Sequence, residues 1–172
     1  PEFAPQGLSN VTWGFATMNH KAPSLFDSIA RDAQGRVNEF DPQALCNTAW
    51  AFVTLKHAAP ALLDAIARAA SGCIGNFKPQ ELASTAWAFA TLNYGAPLLF
   101  DAVAKNAPER INEFNTQNLS NVAWAFASLN REALSLFDAI ARTAKVRIND
   151  FNVQNLSNLI LAYAKMNHDA PA

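Results

Sequence analysis

The chain has 172 residues, 51% of them apolar in type, and a formal net charge of −1. That is enough apolar material for a real core, and too much for a disordered segment. The near-zero charge argues against gripping polyanions by bulk charge, and no apolar run reaches the roughly 18 uncharged residues of a membrane span.

The first predicted element follows Phe3 and contains LSNVTWGFATMN. The phrase returns along the chain as LCNTAWAFVTLK, LASTAWAFATLN, LSNVAWAFASLN and LSNLILAYAKMN. Phe3, Phe40, Phe77, Phe114 and Phe151 mark the register, each 37 residues after the last. With Phe as position 1, Gln6, Gln43, Gln80, Gln117 and Gln154 hold position 4, and Leu8, Leu45, Leu82, Leu119 and Leu156 hold position 6, without a gap. A fixed period of this length signals a solenoid. The units are residues 3–39, 40–76, 77–113, 114–150 and a partial 151–172.

Each unit reads as two helices. Pro5, Pro42 and Pro79 at position 3 suit a first helical turn, where the missing N–H has no partner to lose. Asp41, Asn115 and Asn152 at position 2 of three units are good N-caps. Phe at position 1 and Leu at position 6 stand at the spacing of a hydrophobic staple. Positions 6, 9, 13 and 16, such as Leu119, Val122, Phe126 and Leu129, share one face. The second helix opens at Ala-Pro: Ala22-Pro23, Ala59-Pro60, Ala96-Pro97 and, in the fifth unit, Ala170-Pro171. Leu99, Phe100, Val103 and Ala107 line its apolar face. The fold class is therefore all-α, an α-solenoid of stacked helix-turn-helix hairpins in a right-handed superhelix, with no competing strand pattern. The chain starts in phase, Glu2-Phe3 matching Glu39-Phe40, and neither end carries a polar cap. The expectation is one array belonging to a longer parent.

A 37-residue two-helix unit carrying LSNxxWAFA resembles the octotricopeptide and heptatricopeptide repeats of organellar proteins, often found beside a RAP domain. The period and the WAFA phrase look most like the heptatricopeptide type. The resemblance covers the whole chain. It implies a binder of single-stranded RNA in a mitochondrion or plastid, acting in RNA stabilisation, processing or translation. No RAP domain is visible.

On the first helix, the side opposite the staple carries positions 4, 8, 11 and 15. Position 8 is Asn10, Asn47, Ser84, Asn121 and Asn158; position 15 is Thr17, Thr54, Thr91, Ser128 and Lys165. Position 5, which varies most, borders this strip with Gly7, Ala44, Glu81, Asn118 and Asn155. Amides and hydroxyls both donate and accept, and helical-repeat RNA binders read about one base per repeat with two or three side chains. Positions 4, 5 and 8 are the expected base-facing set, and Ser84 is where base preference would change. The alternative is an asparagine ladder that fixes the stacking register.

Trp13, Trp50, Trp87 and Trp124 at position 11 read as fillers between repeats rather than as stacking platforms; Leu161 in the fifth unit suits packing. Asp27, Asp64, Asp101 and Asp138 stand four residues before Arg31, Arg68, Lys105 and Arg142, the order that stabilises a helix, so that ladder is expected to neutralise itself. Arg36, Arg110 and Arg147 at position 34 are the better phosphate-contact candidates, although Glu39, Glu113 and Asp150 follow three residues on. His20, His57 and His168 at position 18 read as turn residues, since repeats about 8–10 Å apart are too widely spaced to share one metal ion. Cys46 and Cys73 have no metal-type spacing. No nucleophile–base pair, carboxylate dyad or phosphate loop is present. No enzyme activity, cofactor, metal, membrane or small-molecule substrate is expected. The rival function is a protein-binding scaffold in a large organellar assembly such as a ribosome, which the near-neutral charge favours.

Overall fold

Proline decides where most of the helices begin. In the computed structural model, which describes residues 3–167, Pro5, Pro42 and Pro79 open α1 (Pro5–Thr17), α3 (Pro42–Thr54) and α5 (Pro79–Thr91). Pro23, Pro60 and Pro97 open α2 (Pro23–Gln34), α4 (Pro60–Gly72) and α6 (Pro97–Asn106). The remaining helices, α7 (Thr116–Ser128), α8 (Leu134–Val146) and α9 (Val153–Met166), start without it. The fold is all-α, with no strand among the described residues. Glu2, His168, Ala170 and Pro171 lie outside them.

The predicted caps form. Asp41 Oδ1 accepts the Ala44 N–H at 2.7 Å, Asn115 Oδ1 the Asn118 N–H at 2.8 Å, and Asn152 Oδ1 the Asn155 N–H at 2.7 Å. Each cap contributes about 1 kcal/mol. At the other end of the first helices, Asn19, Lys56, Asn93, Asn130 and Asn167 take left-handed backbone with φ between 49° and 54°. Asparagine tolerates that region; Lys56 is the departure.

Two compact units divide the chain between Phe77 and Lys78, a division that the unbroken 37-residue register does not reveal. In the first unit α1 and α3 lie side by side as one row, and α2 and α4 form the other. In the second unit α5, α7 and α9 form the first row, and α6 and α8 the second. Each unit is thus a two-row stack of hairpins, the α-solenoid arrangement. The first row packs closely because its buried positions are small: Thr12, Ala16, Ala49 and Ala51 in one unit, Ala86, Ala88, Ala123 and Ala125 in the other.

Phenylalanines fill the space between the rows. The rings of Phe26 and Phe52 lie 4.9 Å apart, and those of Phe100 and Phe126 meet edge-on at 5.1 Å. All four are fully buried, each stabilising by about 1.5–3 kcal/mol. Short 3-10 segments, Val37–Glu39, Ile74–Asn76, Pro108–Glu113 and Ile148–Asp150, lead into the next Phe. They bury Val37, Ile74 and Ile111 at position 35.

Candidate nucleic-acid interface

Positions 4, 8, 11 and 15 share the outward side of the first-row helices. Gln6, Gln43, Gln80, Gln117 and Gln154 are exposed. Asn10 is exposed, and Asn47, Ser84, Asn121 and Asn158 are half-buried. Among the described residues none of these side chains makes a hydrogen bond. A structural asparagine ladder would need bonds between neighbours, and neither unit contains one. At position 15 the hydroxyls of Thr17 and Thr91 turn back to the Trp13 and Trp87 carbonyls at 2.9 and 2.8 Å, while Lys165 Nζ reaches the Ser128 carbonyl at 3.2 Å.

Position 5 departs from the expectation. Ala44, Asn118 and Asn155 are buried rather than bordering the strip, and Gly7 is half-buried. The reason is the capping geometry. Position 5 is the third residue of the helix, whose side chain folds back on the helix start. Asn118 Oδ1 accepts the Asn115 N–H at 3.3 Å, and Glu81 Oε2 accepts the Lys78 N–H at 2.9 Å. The Asn155 carbonyl accepts the Ser120 hydroxyl at 2.8 Å, joining α9 to α7.

The proposed phosphate contacts are also spent inside the fold. Arg36 pairs with Glu39 at 3.1 Å and Asp32 at 3.3 Å, and donates to the Phe3 carbonyl at 3.2 Å. Arg147 pairs with Asp150 at 3.3 Å and donates to the Phe114 carbonyl at 2.6 Å. Arg110 pairs with Glu113 at 2.8 Å, which holds that carboxyl below its usual range. The 3-10 segment brings positions 34 and 37 together, and the arginine then ties the end of its unit to the unit's own first residue.

Two of the aspartates at position 25 find partners other than those expected on their own helix. Asp27 Oδ1 meets His57 Nε2 at 2.9 Å, and Asp101 Oδ1 meets Arg131 Nη2 at 2.5 Å. His57 and Arg131 hold position 18, so that turn residue binds the preceding hairpin. His57 also packs 5.6 Å from both Phe26 and Phe52. His20 is exposed, and His168 lies outside the described residues. No metal-type cluster occurs among the described residues. Burial pushes the Cys73 thiol up, and its Sγ donates to the Ala69 carbonyl at 3.2 Å.

The tryptophans reach the surface of the strip. Trp13 is 47% exposed, and Trp50, Trp87 and Trp124 are half-buried, whereas the phenylalanines of the same phrase, Phe52, Phe89 and Phe126, are sealed in. The reading as pure filler therefore accounts for only part of each indole.

The whole strip combines amides, indoles and hydroxyls with almost no charge. Stacked hairpins presenting such a strip define a helical-repeat protein, and comparison with known families places it in an RNA-related one. The chain belongs to the RESC6 family, RNA-editing substrate-binding complex 6 protein, whose model matches residues 1–171. The coarser expectation, a helical-repeat protein of an RNA-associated family, stands; the match is to neither octotricopeptide nor heptatricopeptide repeats. No curated protein matches the chain.

Proposed function

We propose that this chain binds single-stranded RNA along the first-row strip, about one nucleotide per repeat, as a component of an RNA-editing substrate-binding complex. The observation that carries the reading is the set of unspent amides and hydroxyl at position 8: Asn10 and Asn47 in one unit, Ser84, Asn121 and Asn158 in the other. A polar side chain that faces solvent in register, repeat after repeat, without serving its neighbours is free to serve a ligand. Position 4 supplies a second amide beside it. The action is stoichiometric: holding the strand protects or positions it, with no catalytic step by this chain. A mitochondrial setting fits, since RNA-editing complexes of this family are associated with mitochondria in trypanosomatids, and nothing supports a plastid.

The strip is nearly neutral, so affinity would come from bases more than phosphates. Binding should therefore lose little with salt, with a log–log slope of about −1 to −2 rather than the steep dependence of a basic groove. The test is fluorescence anisotropy with labelled single-stranded RNA, with duplex RNA and single-stranded DNA beside it, at low and near-physiological salt. RNA-selective binding that weakens in the Asn47→Ala/Asn121→Ala variant, with the fold retained, supports the reading. Absence of RNA binding would transfer the strip to the second reading, a protein-binding scaffold, which the net charge of −1 favours.

A further inference from the structure

The four tryptophans are the only ones in the chain, and all sit at position 11 of a first-row helix. In α7 the order is Asn121, Trp124, Ser128, spaced three and four residues, which is one helix face. Each indole thus lies between the position-8 side chain, an amide or in Ser84 a hydroxyl, and the position-15 hydroxyl of its own repeat. No indole N–H donates to another group among the described residues, and none is among the buried unpaired atoms. In the second unit the ring centroids of Trp87 and Trp124 lie 6.3 Å apart, with planes 34° from parallel. Stacked bases rise about 3.4 Å, so a base held between two rings needs about 6.8 Å. The centroid separation is about half an ångström short of that, so the pair has to open to admit a base.

We infer that Trp87 and Trp124 of the second unit form a base-stacking rack, in which a nucleobase enters between the two indoles and is fixed at its edge by the position-8 side chain. This rests on the RNA reading above and deepens it. The rack supplies sequence-tolerant affinity, because every base has a face to stack, while the amide supplies preference. The stacking step also fits the count: the gap between the indoles of two adjacent repeats admits one base. It further explains how a strip with almost no charge could hold RNA.

Because no tryptophan lies elsewhere, intrinsic fluorescence reports on the strip directly. The experiment titrates the whole chain with short oligoadenylate and with an abasic ribose-phosphate oligomer of equal length, following tryptophan emission and, separately, anisotropy of the labelled oligomers. Quenching by the oligoadenylate and none by the abasic oligomer is expected. Trp124→Leu should weaken oligoadenylate binding about 10-fold, and Trp124→Phe should restore most of it. Leu161 already occupies this position in α9, so the leucine is compatible with the helix; the abasic comparison needs no variant at all. Tight binding of both oligomers with equal emission, or full affinity in Trp124→Leu, would overturn the rack and leave RNA binding standing. No binding of either oligomer would overturn both.

Discussion

Arg131 of the fourth repeat reaches back to Asp101 of the third, Nη2 to Oδ1 at 2.5 Å, while its guanidinium lies 5.6 Å from the centre of the Phe100 ring. One turn residue thus grips both the polar and the apolar side of the preceding second helix. His57 repeats the relation with Asp27 and Phe26 in the first unit. Exposed ion pairs contribute about 0.2–1 kcal/mol and a cation over an aromatic face about 0.5–1 kcal/mol. Arg131→Ala should therefore cost about 1 kcal/mol, and Asp101→Ala about half that. In a double-mutant cycle by urea unfolding the two should couple by a few tenths of a kcal/mol. Strict additivity would show that the pair contributes nothing.

Arg147 and Arg36 close their 37-residue repeats by binding the carbonyl of the repeat's first residue, Phe114 and Phe3. A hydrogen bond from a charged donor contributes about 1.5–3 kcal/mol. Arg147→Ala should lower stability by about 2 kcal/mol and leave the salt slope of RNA binding unchanged. A slope shallower by about one unit would instead make Arg147 a phosphate contact.

Thr48 and Thr85 each bury a hydroxyl that has no hydrogen-bond partner. The same position holds Val11 and Val122 in other repeats, and Val122 is fully buried. An unsatisfied buried hydroxyl costs about 1–3 kcal/mol. Thr48→Val and Thr85→Val should each raise the melting temperature by about 2–4 °C in a chain of this size. A fall in melting temperature for both would mean that the hydroxyls are hydrated or bonded after all.

The repeat, the two-helix unit and the caps at Asp41, Asn115 and Asn152 were legible because each is a local signal: a proline, a cap and a staple at fixed spacing. Helix periodicity also placed positions 4 and 8 on the outward side. It misplaced position 5, because a residue in the first turn answers to the cap as well as to the helix phase. It mispaired Asp27 and Asp101, since the stronger partner lies 30 residues on, across a hairpin stack that no local pattern encodes. Partial exposure of the tryptophans was illegible for the same reason: it depends on how closely the alanine-lined first row packs.

The last relationship has a pH signature. The Tyr163 hydroxyl donates to the Phe137 carbonyl, and the two rings meet edge-on at 5.2 Å. Burial pushes the phenol well above its ordinary value, the negative Asp138 adds to the shift, and the Ala141 backbone N–H opposes it. In the unfolded chain a tyrosine loses its proton near pH 10. Between that pH and the raised folded value the native state holds the extra proton, so unfolding becomes easier as pH rises. The contribution is fully present below about pH 10 and is lost progressively above it. Tyr163→Phe should cost about 1 kcal/mol at neutral pH through the lost hydrogen bond. It should also flatten the alkaline decline relative to the parent chain. Urea midpoints measured from about pH 8 to about pH 11 for both chains test this: parallel curves would show that Tyr163 ionises equally in the folded and unfolded states.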